Sequence, residues 1–199
     1  MKKLARITLC FVSTFFVSIC LANTNNNNLE LIIPPEQIAQ KVNAIAHQID
    51  KDYRGEPLTV LMVMKGAVCV TADLMRAINT PATLDYIKAS SYGNNGTKRG
   101  ELKLLGLENL NLKGKNVLVV DDIFDSGNTM TAIVKQLKKQ QPKSLKTLVA
   151  FVKNIPRKTT YRPDYKMFDI EDRFIVGYGL DYKEQYRGLP GIYVIKNPS

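Results

Sequence analysis

A chain of 199 residues, 45% of them apolar, is long enough to bury the core of one α/β domain and too short for two large ones. Its net charge of +10 suits a phosphorylated ligand, but the lysines are scattered rather than gathered into a basic arm, which argues against nucleic acid. A solvated basic surface accounts for the charge equally well, so charge alone selects no ligand.

Residues 1–28 stand apart: Lys2, Lys3 and Arg6 make a positive start, Ile7 to Leu21 an apolar run, and Ala22 precedes an asparagine-rich tract. This is the pattern of a secretory leader, and its apolar run is shorter than the roughly 20 residues of a spanning helix. Residues 1–28 are therefore read as leader and linker, and 29–199 as the folded domain. Cys20 would suit a lipid anchor only with a small residue before it, and Ile19 is bulky. One cysteine, Cys69, remains in the body, which excludes a disulfide framework; set in an apolar stretch, it reads as a packed residue. His47, the single histidine, falls in a helical pattern and reads as structural.

Pro34 and Pro35 open a helical pattern that runs to about Asp50. Leu58 to Met64 suits a strand buried on both faces, Gly66 breaks it, and a helix follows from about Ala67 to Ile78. Thr83 to Ala89 reads as a second strand, residues 90–100 as a polar, glycine-rich loop, and Leu102 to Leu105 as a short strand. Asn116 to Val120 is a buried strand ending at acidic residues, Asn128 to about Gln140 a helix, and Ser144 to Lys153 a strand. Short strands are expected near Met167, over Phe174 to Tyr178 and over Ile192 to Ile195. Strands alternating with helices predict an α/β fold, a mostly parallel sheet with helices on both faces that binds ligands beyond its strand carboxyl ends.

The most informative stretch runs from Val117 through Asp121, Asp122, Ile123, Phe124, Asp125, Ser126, Gly127 and Asn128 to Thr129. A buried strand leads into a loop that begins with two carboxylates and ends in hydroxyls and a glycine at a helix start. Backbone N–H groups, Ser126, Thr129 and the helix dipole can hold a phosphate there, with Gly127 allowing close approach. Asp121 and Asp122 would repel that phosphate unless they face ribose hydroxyls or a magnesium ion, so the pattern suggests a ribose phosphate. An ordinary capped helix would share these features, and the Walker spacing is absent.

These thirteen residues resemble the phosphoribosyl-diphosphate signature of type I phosphoribosyltransferases, and residues from about Leu29 to Lys196 resemble the hypoxanthine-guanine branch of that family. The resemblance implies the type I fold, a mostly parallel central sheet with a small carboxy-terminal hood. It implies that Lys65 and Gly66, after Met64 and before Ala67, bind pyrophosphate together with Arg187, and that the Met64–Lys65 peptide is cis. Ser91 and Tyr92 resemble the closing lid. Lys153 resembles the lysine that donates to a purine 6-oxo group, Phe174 the ring that stacks on the base, and Ile175 the backbone that reads its edge. Asp125 resembles the catalytic group that takes or shares the proton at purine N7. Asp181, with Asp121 and Asp122, resembles the magnesium ligands.

The implied substrates are a purine base and phosphoribosyl diphosphate, with no nucleic acid, in a homo-oligomer that is a dimer or tetramer. Asp121 departs from the glutamate that many relatives carry. The leader is the larger anomaly, because the activated sugar is a cytosolic metabolite; cytoplasmic function is favoured over export. A sister specificity for xanthine and a non-catalytic sensor of phosphoribosyl diphosphate stand as alternatives, the sensor opposed by the presence of Asp125, Lys153 and the Asp121–Asp122 pair.

Overall fold

The computed structural model describes residues 28–91 and 102–196. The leader to residue 27 and lid residue Tyr92 lie outside them.

Strand β1 (Leu29–Ile33) precedes helix α1 (Pro35–Tyr53), which Pro35 opens, its fixed φ suited to a first helical turn. Ile38, Val42, Ile45, Ala46, Ile49 and Tyr53 recur at helical spacing and form the buried stripe of α1. Next come β2 (Leu58–Met64), α2 (Val68–Ala77), β3 (Ala82–Ser91), β4 (Leu102–Leu105), β5 (Asn116–Phe124) and α3 (Asn128–Lys138). The chain ends with β6 (Ser144–Lys153), β7 (Tyr165–Ile170), β8 (Ile175–Val176) and β9 (Ile192–Ile195).

The main sheet has the order β4-β3-β2-β5-β6-β7, parallel except for edge strand β4. Its central strands are buried on both faces and alternate between two cores. Leu118 and Val120 of β5 meet α1 and α2, whereas Val117 and Val119 meet Met130, Ile133 and Leu137 of α3. From β2 the chain steps outward to β3, then returns to place β5 on the other side of β2. This reversal puts a crevice beyond the carboxyl ends of β2 and β5.

A second sheet, β1-β9-β8, is antiparallel and forms the hood. The expected carboxy-terminal hood thus borrows an edge from the amino terminus. Residues 29–33, to which the sequence reading gave no element, are a strand because β9 pairs with them, Leu29 opposite Ile195.

Asp50, in the last turn of α1, ties that helix to the turn between α2 and β3. It accepts hydrogen bonds from the Asn79 amide at 3.0 Å, the Thr80 amide at 2.8 Å and the Thr80 hydroxyl at 2.8 Å. Burial pushes its carboxyl up, but the donors at Asn79 and Thr80 outweigh burial and bring it down to about 2 from 3.8. A lowered carboxyl contributes stability above its unfolded value and loses it as pH falls through its folded value. Asp50→Asn should therefore lower the unfolding free energy by about 1–3 kcal/mol at pH 6. In urea melts the gap to the unsubstituted protein should narrow at pH 3; a gap of equal size at both values would contradict this account.

Candidate active site

Two of the loops singled out in the sequence flank the crevice at the sheet reversal. After β2, the Met64–Lys65 peptide is cis and Gly66 turns against β5. A Cβ on Gly66 would lie 1.5 Å from an Asp122 carboxylate oxygen, so only glycine lets the backbone come this near. From the other side Gly179 of the hood approaches the Gly66 carbonyl, where an added Cβ would lie 2.0 Å from the oxygen. The β2 loop, the end of β5 and the hood therefore meet within one layer of atoms.

Strand β5 runs four residues further than the sequence suggested, to Phe124, because β6 continues to pair with it: Asp121 lies opposite Val149 and Ile123 opposite Phe151. Asp121 and Asp122 thus sit on the strand rather than opening the loop, and both line the crevice at its carboxyl end. Asp121 is buried at 6% exposure. Burial and then the neighbouring Asp122 carboxylate push Asp121 well above the usual carboxylate range, and burial raises Asp122 as well. Each carboxylate also accepts a local backbone N–H, at 3.0 Å from Asp122 to Asp121 and 2.8 Å from Ile123 to Asp122.

Beyond Phe124, residues 125–127 turn into α3, which starts with Gly127 at φ +77° and has no side-chain cap and no acid in its first turn. This helix start borders a cavity of about 530 Å³ lined by residues 121–130 and Ala132 together with Val63, Met64 and Ala89, and the first amides of a helix have no partner within it. The small size of Gly127 also serves its own loop: an added Cβ would strike the Phe124 ring at 2.7 Å and the Thr159 methyl at 2.5 Å. It lets the loop fold over its own support.

On the hood side, Arg187 lies 2.6 Å from Asp181 and also donates to the Gly179 carbonyl. Lys65 pairs with Glu184 at 3.0 Å, and Glu184 stands 3.5 Å from Arg187. Lys65, Gly66, Asp181 and Arg187 are thereby joined, with Glu184, which the sequence did not single out, as the link. Tyr178 fixes this segment to α2 by donating to Asp73 at 2.8 Å. Cys69 of α2 is half-buried and burial raises its thiol, as suits a packed residue.

Lys153 ends β6 with its ammonium 2.9 Å from Asp172. Phe174 is 48% exposed, with Tyr182 edge-on at 5.4 Å, although an aromatic residue before an apolar run belongs to a core by default. Ile175 is buried in β8, an edge strand of the hood paired to β9 on one side. Neither Lys153 nor Phe174 lines the cavity at the loop. Ser91 closes β3, on the same side of the sheet as both loops. Arg157 also escaped the sequence reading: its Nε donates to the Asp125 carbonyl at 2.6 Å, and Nη2 to the carbonyls of Phe124, at 3.3 Å, and Lys153. One guanidinium thus joins the β5 loop to the end of β6. Nothing local marks it, since an arginine after Pro156 reads as surface.

This fold and crevice define a phosphoribosyl transferase: the sequence matches the phosphoribosyl transferase domain over residues 32–183, and the chain belongs to that family. The hypoxanthine-guanine phosphoribosyltransferase of Aquifex aeolicus is 37% identical over 170 residues, which cover 85% of this chain and 96% of that protein. A crystal structure of a hypoxanthine-guanine phosphoribosyltransferase from Bacillus anthracis superimposes with a TM-score of 0.78 at 42% identity, over 83% of this chain and 98% of the other. The hypoxanthine phosphoribosyltransferase of Staphylococcus aureus gives 0.82 at 32% identity, over 88% and 96%. The bifunctional protein TilS/HprT of Listeria innocua is 34% identical over 172 residues, 86% of this chain, and the chain spans only 26% of its length.

The contact at Gly66 makes a direct test. Gly66→Ala must displace Asp122 and should cost about 1–3 kcal/mol of stability. Gly188→Ala, whose methyl meets nothing within 4 Å, should stay within about 0.5 kcal/mol in the same urea melts. Equal melts for the two variants would show that the approach of Gly66 to Asp122 is slack.

Proposed function

We infer that the protein is a purine-salvage enzyme that transfers the 5-phosphoribosyl group of phosphoribosyl diphosphate to hypoxanthine or guanine, giving IMP or GMP and pyrophosphate. The observation that carries this is the junction of Gly66, Asp122 and Gly179, which sets a helix-start phosphate loop beside a paired set of cations at one sheet reversal. Such a site suits a ligand with a phosphate at one end and a diphosphate at the other.

In this reading the amides of residues 126–129, with the hydroxyls of Ser126 and Thr129 and the side of Asn128, hold the 5′-phosphate. Asp121 and Asp122 accept from the ribose hydroxyls. Lys65, the Gly66 amide and Arg187 take the pyrophosphate, exchanging Glu184 and Asp181 for phosphate oxygens. Phe174 stacks on the base, the unpaired edge of β8 at Ile175 reads its rim, and Lys153 donates to the 6-oxo oxygen. The C1–pyrophosphate bond loosens first, and purine N9 captures the oxocarbenium-like ribose from the opposite face. Asp125 takes or shares the proton at N7, and the lid at Ser91 and Tyr92 excludes water that would otherwise hydrolyse the sugar.

The donors near the cations are carboxylate oxygens, and the described residues hold no cluster of three His, Cys, Asp or Glu that could cage a metal. Magnesium fits such a set, since it binds through one or two carboxylates plus substrate phosphates. Asp181 would hold it on the pyrophosphate side, and Asp121 and Asp122 on the ribose side. Bound there, magnesium would supply positive charge to the leaving diphosphate.

The partner in assembly is a second copy of the chain, in a dimer or tetramer. Leu84 and Tyr86, two apart on β3, are 53% and 57% exposed, and Val68 of α2 is 41% exposed, so apolar surface remains to be covered. A sedimentation mass above 22.4 kDa is expected. The supply of activated sugar favours the cytoplasm as the place of work; no helix among the described residues is long and apolar enough to cross a membrane. Recovery of the protein chiefly with a membrane or periplasmic fraction would oppose that location.

Assay of the purified protein with phosphoribosyl diphosphate, magnesium and each base in turn should show turnover of hypoxanthine and guanine and hardly any of adenine. Asp125→Asn should lower kcat by about 10²-fold or more while ribose-phosphate binding persists. A normal kcat in that variant would reduce Asp125 to a loop residue, and turnover of no base would favour the sensor.

A further inference from the structure

We propose that Asp172 is a positioning residue that aims the Lys153 ammonium at the purine 6-oxo oxygen and so sets the preference for 6-oxopurines. The inference rests on Lys153 as the group that meets that oxygen. Lys153 has a side chain only 16% exposed, so its stem is packed, while Asp172, 65% exposed, meets its head at 2.9 Å.

The turn that carries Asp172 is itself tied down on both sides. The Asn154 amide, next to Lys153, donates to the Ile170 carbonyl at 2.8 Å, the Arg173 amide donates to the Glu171 carbonyl at 2.8 Å, and the Arg173 side chain pairs with Glu30 of β1 at 3.1 Å. Phe174 follows two residues after Asp172. One short turn therefore carries both the anion that fixes the lysine and the ring that stacks on the base, and their spacing sets the distance from stacked plane to ammonium.

That spacing matters because discrimination by a donor works only if the donor cannot turn elsewhere when the wrong base arrives. A lysine head on a flexible stem could swing to water and escape the penalty of meeting the 6-amino group of adenine. Held by Asp172, it keeps its remaining N–H groups near the base and has lost its rotamer freedom before binding. An ion pair with one partner this exposed adds little to folding, so its loss should register in recognition rather than in stability.

The test compares Asp172→Asn, Asp172→Ser and Asp172→Glu with Lys153→Ala, alone and combined with Asp172→Asn, using hypoxanthine, guanine and adenine. Asp172→Asn and Asp172→Ser should raise KM for both 6-oxopurines about 10-fold and narrow their lead over adenine. In both variants kcat, KM for phosphoribosyl diphosphate and the melting temperature should change little, and Asp172→Glu should restore most of the loss. The double variant should be no worse than Lys153→Ala, since the two act as one unit. If Lys153→Ala leaves KM for the bases unchanged, the role of Lys153 fails and that of Asp172 with it. If Lys153→Ala impairs base use while Asp172→Asn and Asp172→Ser do not, or lower KM, or add to Lys153→Ala, Asp172 is a bystander or a competitor and only this proposal falls.

Discussion

The side-by-side placement of β2 and β5 as parallel neighbours brings Gly66 against the carboxylate of Asp122, and the rest of the site hangs on that junction. Parallel pairing aligns the carboxyl ends of the two strands, so the turn after β2 and the loop after β5 open on the same edge. Gly179 closes the junction from the hood, and Tyr178 beside it is held by Asp73 of α2. A side chain at either glycine would part the three elements.

Charge is organised around this junction in a way that composition could not show. A chain of net charge +10 has carboxylates within ion-pair distance of Lys65, Lys153 and Arg187. Pairs with an exposed partner, such as Lys65–Glu184 and Lys153–Asp172, contribute little to folding, and in the proposed reading they keep long cationic side chains in place until a phosphate or base exchanges with, or joins, the carboxylate. Asp121 and Asp122 are the counterpart on the other side: burial raises both carboxyls above the ordinary carboxylate value, and the Asp122 carboxylate raises Asp121 further.

The two ends of the site are supported differently. The loop we propose for the phosphate is built into the main sheet, with buried Phe124 against Gly127 and α3 following it. The end we propose for the base is assembled from the tip of β6, the turn after β7 and the small hood sheet, which the Lys153–Asp172 and Glu30–Arg173 pairs bind together, with Arg157 joining the tip of β6 to the β5 loop. The edges of that hood come from opposite ends of the chain.

Much of this was legible in the sequence because it depends on local pattern. Apolar runs such as Leu58–Met64 and Ser144–Lys153 mark strands buried on both faces, Pro35 marks a helix start, and the acids, hydroxyls and glycine of residues 121–129 sit together in the chain. What remained out of reach depends on partners distant in sequence. Residues 29–33 are a strand only because β9 pairs with them; Asp121 and Asp122 belong to β5 only because β6 continues beside them. Arg157, Asp172 and Glu184 acquire a place in the site through contacts made across loops. Local sequence determines which chemistry is carried and on what kind of element, since propensity and periodicity act over a few residues. Tertiary structure decides which of those groups meet, because that depends on strand order and on how closely two backbones can approach.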